Sequence, residues 1–241
     1  MALIQPNMSM SEVVEENTSL IPVINRLGIR LGLQDKTVRE VCEDHQIDTD
    51  FLLIIINTFL NEEYFPEKRL QAFHVSQIID YLNKTNQYYL RFQIPNIAKH
   101  LDLFIAHSES NNATLNLIGK FFQSFKEHLT EQIKKDESEW FPYCLQLSGQ
   151  LQKSISFNQE EIRSFSDQET NDDSLEAVLA DLKSIMIKHL SGDFNENLCY
   201  AVIFAVNSLE KDIKQHNRIR YRILSPIVHK MEFSSRPAKA S

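Results

Sequence analysis

The chain has 241 residues, enough for one large or two small domains with a sizeable core. Its formal net charge of −8 and pI near 5.5 argue against nonspecific binding to nucleic acid or to an anionic membrane face. Only five glycines and seven prolines, set among abundant Leu, Ile, Glu, Lys and Gln, favour long helices, so the fold class is all-α.

No apolar run reaches the roughly 18 residues of a membrane-spanning helix. The first residues lack a basic start followed by an apolar stretch, so no secretory signal is expected. Cys42, Cys144 and Cys199 are far apart, odd in number and outside any CxxC spacing. Buried, reduced thiols in a cytoplasmic protein are the expectation.

Residues 1 to 10 carry no pattern and are expected to be loose. A helix begins in Ser11–Asn17, continues or restarts near Pro22, and stops at Gly28. Asp35 or Thr37 can cap the short helix VREVCEDHQ, with Glu40 three residues after Thr37 as a capping box. Asp48 caps DFLLIIINTFLNEEYF, which reads as a buried helix. Residues 1–62 therefore make a small helical domain, and residues 63–72 around Pro66 a linker.

Ser76 caps the next helix, Pro95 kinks it, and the pattern runs on to Ser108. SESNNAT is a loop. Leu115–Asp136 gives a second long helix whose core face includes Leu117, Phe121, Phe122, Phe125, Leu129 and Ile133. Ser148–Ser174 is polar and reads as a long loop or a frayed helix start. Leu175–Leu190 is a third helix, and Leu198–Pro226 holds the fourth. Four long helices spanning 73–235 read as an up-down bundle, with 236–241 as a tail.

Two stretches share a frame. In SLEKDIKQHNRIRYRILSPIVHK, His216 and Arg220 are four apart on one helical flank, and Pro226 marks an end or a kink. In EHLTEQIKKDESEWFPYC, Gln132 and Asp136 are four apart and Pro142 follows. The offset is constant, since 216−132, 220−136 and 226−142 all equal 84. Such a repeat suggests an internal duplication, or two halves with equivalent jobs.

These residues resemble a known family. LIPVINRLGIRLGLQDKTVREVCEDHQIDTDFL is similar to the small N-terminal helical domain of the iron–sulfur cluster repair di-iron proteins, also called regulators of cell morphogenesis and nitric-oxide signalling. YLNKTNQYYLRFQIPNI, HLTEQIKKDESEWFPY and LEKDIKQHNRIRYRILSPIV resemble their hemerythrin-like domain. The resemblance covers residues from about 11 to 232. It implies a four-helix bundle holding two non-haem irons through inward histidines and bridging carboxylates.

Carried over residue by residue, that ligand set is mostly missing. The first-helix histidine position falls on Asn86 or Gln87, and the second-helix His and Glu positions on Gln132 and Asp136. The third-helix histidine should lie between Asn171 and Ala177, yet no histidine occurs between His128 and His189. The fourth-helix His and Glu positions carry His216 and Arg220. Arg220 brings a fixed positive charge that repels a cation and could pair with Asp136 instead. The N-terminal domain has Arg30-Leu31-Gly32-Leu33 where many relatives carry adjacent cysteines.

No metal or other cofactor is therefore expected, and no enzymatic constellation is present. If a metal binds, His216 and Asp136, with Glu137 nearby, are the candidates. The expectation is a degenerate, metal-free family member that binds a protein partner or itself, as a homodimer, in nitrosative or oxidative stress, with no nucleic-acid or membrane partner. One alternative is a cluster-repair protein with an altered non-haem iron site. Another is a ligand sensor using a vacated pocket near Gln132 and His216.

Overall fold

The Thr37–Glu40 capping box forms as read: Thr37 Oγ1 accepts from the Glu40 amide at 3.2 Å, and Glu40 Oε2 accepts from the Thr37 amide at 2.8 Å. It opens one of twelve α-helical segments in a computed structural model that describes residues 3–108, 112–152 and 173–235. These are α1 (Met10–Glu16), α2 (Ile21–Arg26), α3 (Val38–Asp44), α4 (Thr49–Leu60), α5 (Glu67–Leu70), α6 (Val75–Tyr88), α7 (Ile94–Ala106), α8 (Ala113–Lys135), α9 (Phe141–Gln152), α10 (Asp173–His189), α11 (Glu196–Ile219) and α12 (Ser225–Ser235). The described residues contain no strand, only an isolated bridge between Ser9 and Thr37, and the protein is all-α. None of their helices is long and apolar enough to cross a membrane.

Three prolines that read as kinks or ends do not interrupt their helices. Each is preceded by one π-helical turn: Tyr89–Gln93, Asp136–Trp140 and Arg220–Leu224. The amides of Ile94, Phe141 and Ser225 each reach back five residues, to the carbonyls of Tyr89, Asp136 and Arg220. A proline ring inside an α-helix collides with the carbonyl four residues back and donates no hydrogen bond. The wider turn moves that carbonyl aside, so the helix continues past Pro95, Pro142 and Pro226. Rods 75–106, 113–152 and 196–235 are built this way.

The chain forms two compact units. One comprises the residues to Thr85 together with Gln215–Ile227; the other comprises Asn86–Lys214 and the residues from Val228. In the first, Asp48 caps α4 by accepting from the Phe51 amide at 3.0 Å. That helix buries Phe51, Leu52, Ile54, Ile55 and Ile56, and Phe51 packs edge-to-face on Phe73 and Tyr81. The N-terminal stretch is not loose. Ile4 is buried and held by Asn57, and the Met10 amide donates to the Lys36 carbonyl at 2.9 Å.

In the second unit, α7, α8, α10 and α11 contribute to one apolar cluster, among them Phe104, Phe122, Leu179 and Val206. Along α8 the buried stripe is Leu115, Ile118, Phe122, Phe125, Leu129 and Ile133. Leu117, read from the sequence as part of the core face, is 44% exposed. The helix cap is Asn112, whose Oδ1 accepts from the Thr114 amide at 2.9 Å. The polar stretch from Ser148 begins as helix, since α9 runs to Gln152; residues 153–172 of that reading lie outside the described residues. Cys42, Cys144 and Cys199 are buried free thiols, and burial raises the pKa of Cys42 and Cys199.

Candidate functional site

The frame noted at Gln132/Asp136 and His216/Arg220 is marked in the backbone. Asp136 and Arg220 are the first residues of their π-turns, six residues before Pro142 and Pro226. Tyr89 stands in the same place before Pro95. Counting four residues further back from each gives Thr85, Gln132 and His216. Three frames therefore exist where the sequence reading saw two. The available signal was Pro95 at the same spacing.

Residues of these frames are mostly enclosed. Thr85, Tyr89, Asp136 and His216 are buried, while Gln132 and Arg220 are half-buried. Asn86 is also buried, and its Nδ2 has no hydrogen-bond partner among the described residues. Asn86, Gln132 and Asp136 belong to one compact unit, His216 and Arg220 to the other.

Within the first unit, burial pushes the pKa of His216 down to about 3, with the Arg220 and Arg26 guanidiniums acting in the same direction. Hydrogen bonds with Asn217 and the Leu82 backbone oppose this. His216 is thus a neutral imidazole at any physiological pH. Arg26, which the sequence reading did not single out, is buried on α2. Its Nε donates to the Pro22 carbonyl and its Nη1 to Thr85 Oγ1, both at 3.2 Å. Thr85 in turn donates to the Tyr81 carbonyl at 2.8 Å. A first-frame position is therefore spent on orienting an arginine.

The same unit carries a cationic cluster beside π-turn 220–224. The guanidinium carbons of Arg218 and Arg222 lie 4.3 and 4.5 Å from the centroid of Phe65. Arg222 Nε also donates to Glu67 Oε1 at 2.9 Å. These contacts account for two of the three arginines in His216–Arg222.

Within the second unit, Gln87 Nε2 donates to Glu137 Oε1. This bond ties the end of α6 to π-turn 136–140, so both residues are engaged with each other. In the first unit the frames supply one hydroxyl, one imidazole and one guanidinium, and in the second one phenol, one amide and one carboxylate. Neither donor set fits a pair of irons, which requires several imidazoles and bridging carboxylates. Among the described residues, no group of three or more His, Cys, Asp or Glu side chains comes together as a metal site would require. No family model matches the chain, and no curated protein matches it.

Proposed function

We propose that the chain is a degenerate, hemerythrin-like member of the iron–sulfur cluster repair family that works without iron, by binding a protein partner or a second copy of itself during nitrosative or oxidative stress. The observation carrying this reading is the triplicated frame: three enclosed i, i+4 pairs, each followed six residues later by a proline, hold Thr85/Tyr89, Gln132/Asp136 and His216/Arg220. A frame of this kind puts both residues of a pair on one flank of their helix. Its occupants suit hydrogen bonding. Arg220 cannot lose its proton, and it depresses the basicity of His216 four residues earlier.

Metal analysis tests the reading. The full chain is loaded with ferrous iron under anaerobic conditions, desalted, assayed for iron and scanned for an oxo-bridge absorption band after exposure to oxygen. No retained iron sustains the proposal. Two irons per chain with the band overturn it in favour of a repair protein with an altered site.

A further inference from the structure

Glu232, on α12, is a carboxylate enclosed at 4% exposure. Among the described residues, no Lys or Arg comes within ion-pairing distance of it. Its company is a phenol and an imidazole. Tyr143, on α9, donates to Oε1 at 2.7 Å. His229, three residues earlier on α12 and so on the same flank, holds Nδ1 3.6 Å from Oε2. Taking a carboxylate out of water is costly unless positive charge accompanies it, and buried charges are paired or bound to metal ions.

The 3.6 Å gap between Nδ1 and Oε2 is longer than an N–H···O hydrogen bond. It is the gap expected between two ligands of one tetrahedral ion. With metal–nitrogen and metal–oxygen bonds of about 2.0–2.2 Å, tetrahedral angles set neighbouring donors roughly 3.3–3.6 Å apart. An ion therefore fits between the two atoms without displacing either side chain. The Tyr143 bond holds the carboxylate by its other oxygen, as the outer partners of metal-ligating carboxylates do. The His229 side chain is 41% exposed, which gives an ion a way in and leaves room for water around it.

We propose that His229 Nδ1 and Glu232 Oε2 form a site for one divalent transition-metal ion, zinc by donor type and geometry, with water completing the tetrahedron and Tyr143 as the positioning residue. Closed structural zinc sites use four protein ligands, so a pair gives an exchangeable site. A bound ion neutralises Glu232 and fixes α12 where it meets α9. The site uses none of the residues of the three proline frames. Ferrous iron binds such a pair more weakly than zinc does, so zinc binding here and iron retention in the frames read out separately.

Isothermal titration calorimetry of the chelator-stripped full chain with zinc chloride at neutral pH tests the proposal. Wild type is expected to take up one zinc per chain with a Kd of about 10–100 μM. His229→Ala and Glu232→Gln should each weaken binding by about 10-fold or more, and exposed His128→Ala should leave it unchanged. Tyr143→Phe keeps both ligands and should weaken binding by about 10-fold with the stoichiometry still one. Should Glu232→Gln disturb the fold, His229→Ala at its half-exposed position decides the matter, with far-UV circular dichroism matching wild type. Absence of saturable binding up to about 1 mM zinc, or binding indifferent to His229→Ala, overturns the proposal.

Discussion

Tyr143 donates its phenolic hydrogen to Oε1 of Glu232 at 2.7 Å, across 89 residues of chain. Glu232 is 4% exposed, and His229 Nδ1 stands 3.6 Å from its other oxygen. Burial, and secondarily this hydrogen bond to a carboxylate, raises the Tyr143 pKa far above the phenol range. The two residues follow different π-turn prolines, Tyr143 directly after Pro142 and Glu232 six residues after Pro226. One polar contact thus ties together the segments that the π-turns allow to continue. Tyr143→Phe removes a charge-assisted bond from a buried carboxylate and is expected to cost about 2 kcal/mol. Glu232→Gln keeps an acceptor and should cost less, about 1 kcal/mol. Urea unfolding at neutral pH measures both, and the double variant should cost less than the sum.

The neutral, buried His216 links stability to pH. Its folded pKa is about 3 against an unfolded value of 6.5. Between those limits the unfolded chain binds one proton that the folded chain refuses, so stability is full above pH 6.5 and falls as pH decreases, by roughly 1.4 kcal/mol per unit. At pH 5 the loss from this group is about 2 kcal/mol. His216→Gln should remove one proton's worth of slope from a series of urea midpoints between pH 7 and 5, whatever its effect at pH 7. A slope identical to wild type would place the titrating proton elsewhere.

Asn57 anchors the N-terminus. Its Oδ1 accepts from the Ile4 amide at 2.7 Å and its Nδ2 donates to the Ile4 carbonyl at 3.0 Å, so one side chain satisfies both backbone groups of a buried residue. Asn57→Ala leaves those groups unpaired and is expected to cost about 2–4 kcal/mol. Limited proteolysis should then cut before Ser9, where wild type resists.

Local signals were legible and long-range ones were not. The Thr37 box, the Asp48 cap and the Gly28 stop depend on neighbours within a few residues, and each reads directly from spacing. The Ile4–Asn57 contact spans 53 residues, so nothing near residue 4 announces that the stretch is held. The helix at Leu117 went astray by one position, because a stripe with mixed spacings of three and four can be drawn along either flank of Phe122. The prolines were legible as irregular points of their helices, but the π-turn before each was not. A proline forbids the bond four residues back, but a preceding amide that bonds five back restores continuity, and no single residue type encodes that choice. The shared frame before Pro142 and Pro226 was legible in the constant offset of 84 residues. Arg26, Thr85 and Glu232 were missed because charged and hydroxyl residues read as surface until a partner is known.

α2 and α3 end in the same backbone motif with different residues at its strained position. After α2, Gly28 at φ +90° bonds back to Asn25 at 2.9 Å and Ile29 bonds to Ile24 at 3.1 Å. After α3, Gln46 at φ +55° bonds back to Glu43 at 3.2 Å and Ile47 bonds to Cys42 at 2.9 Å. Each is a left-handed helix stop that favours glycine, and the Gln46 side chain is exposed. Its Cβ strain of about 1–2 kcal/mol outweighs the extra backbone entropy that glycine brings to the unfolded chain, about 0.5–1 kcal/mol. Gln46→Gly is therefore expected to stabilise the protein by about 0.5–1 kcal/mol. Gly28→Ala is the converse test: nothing lies within 4 Å of a Cβ built at Gly28, so its cost is conformational alone, about 1 kcal/mol. Thermal melts of the two variants should shift in opposite directions. If Gln46→Gly lowers the melting temperature, a contact of the glutamine side chain outweighs the strain in its backbone.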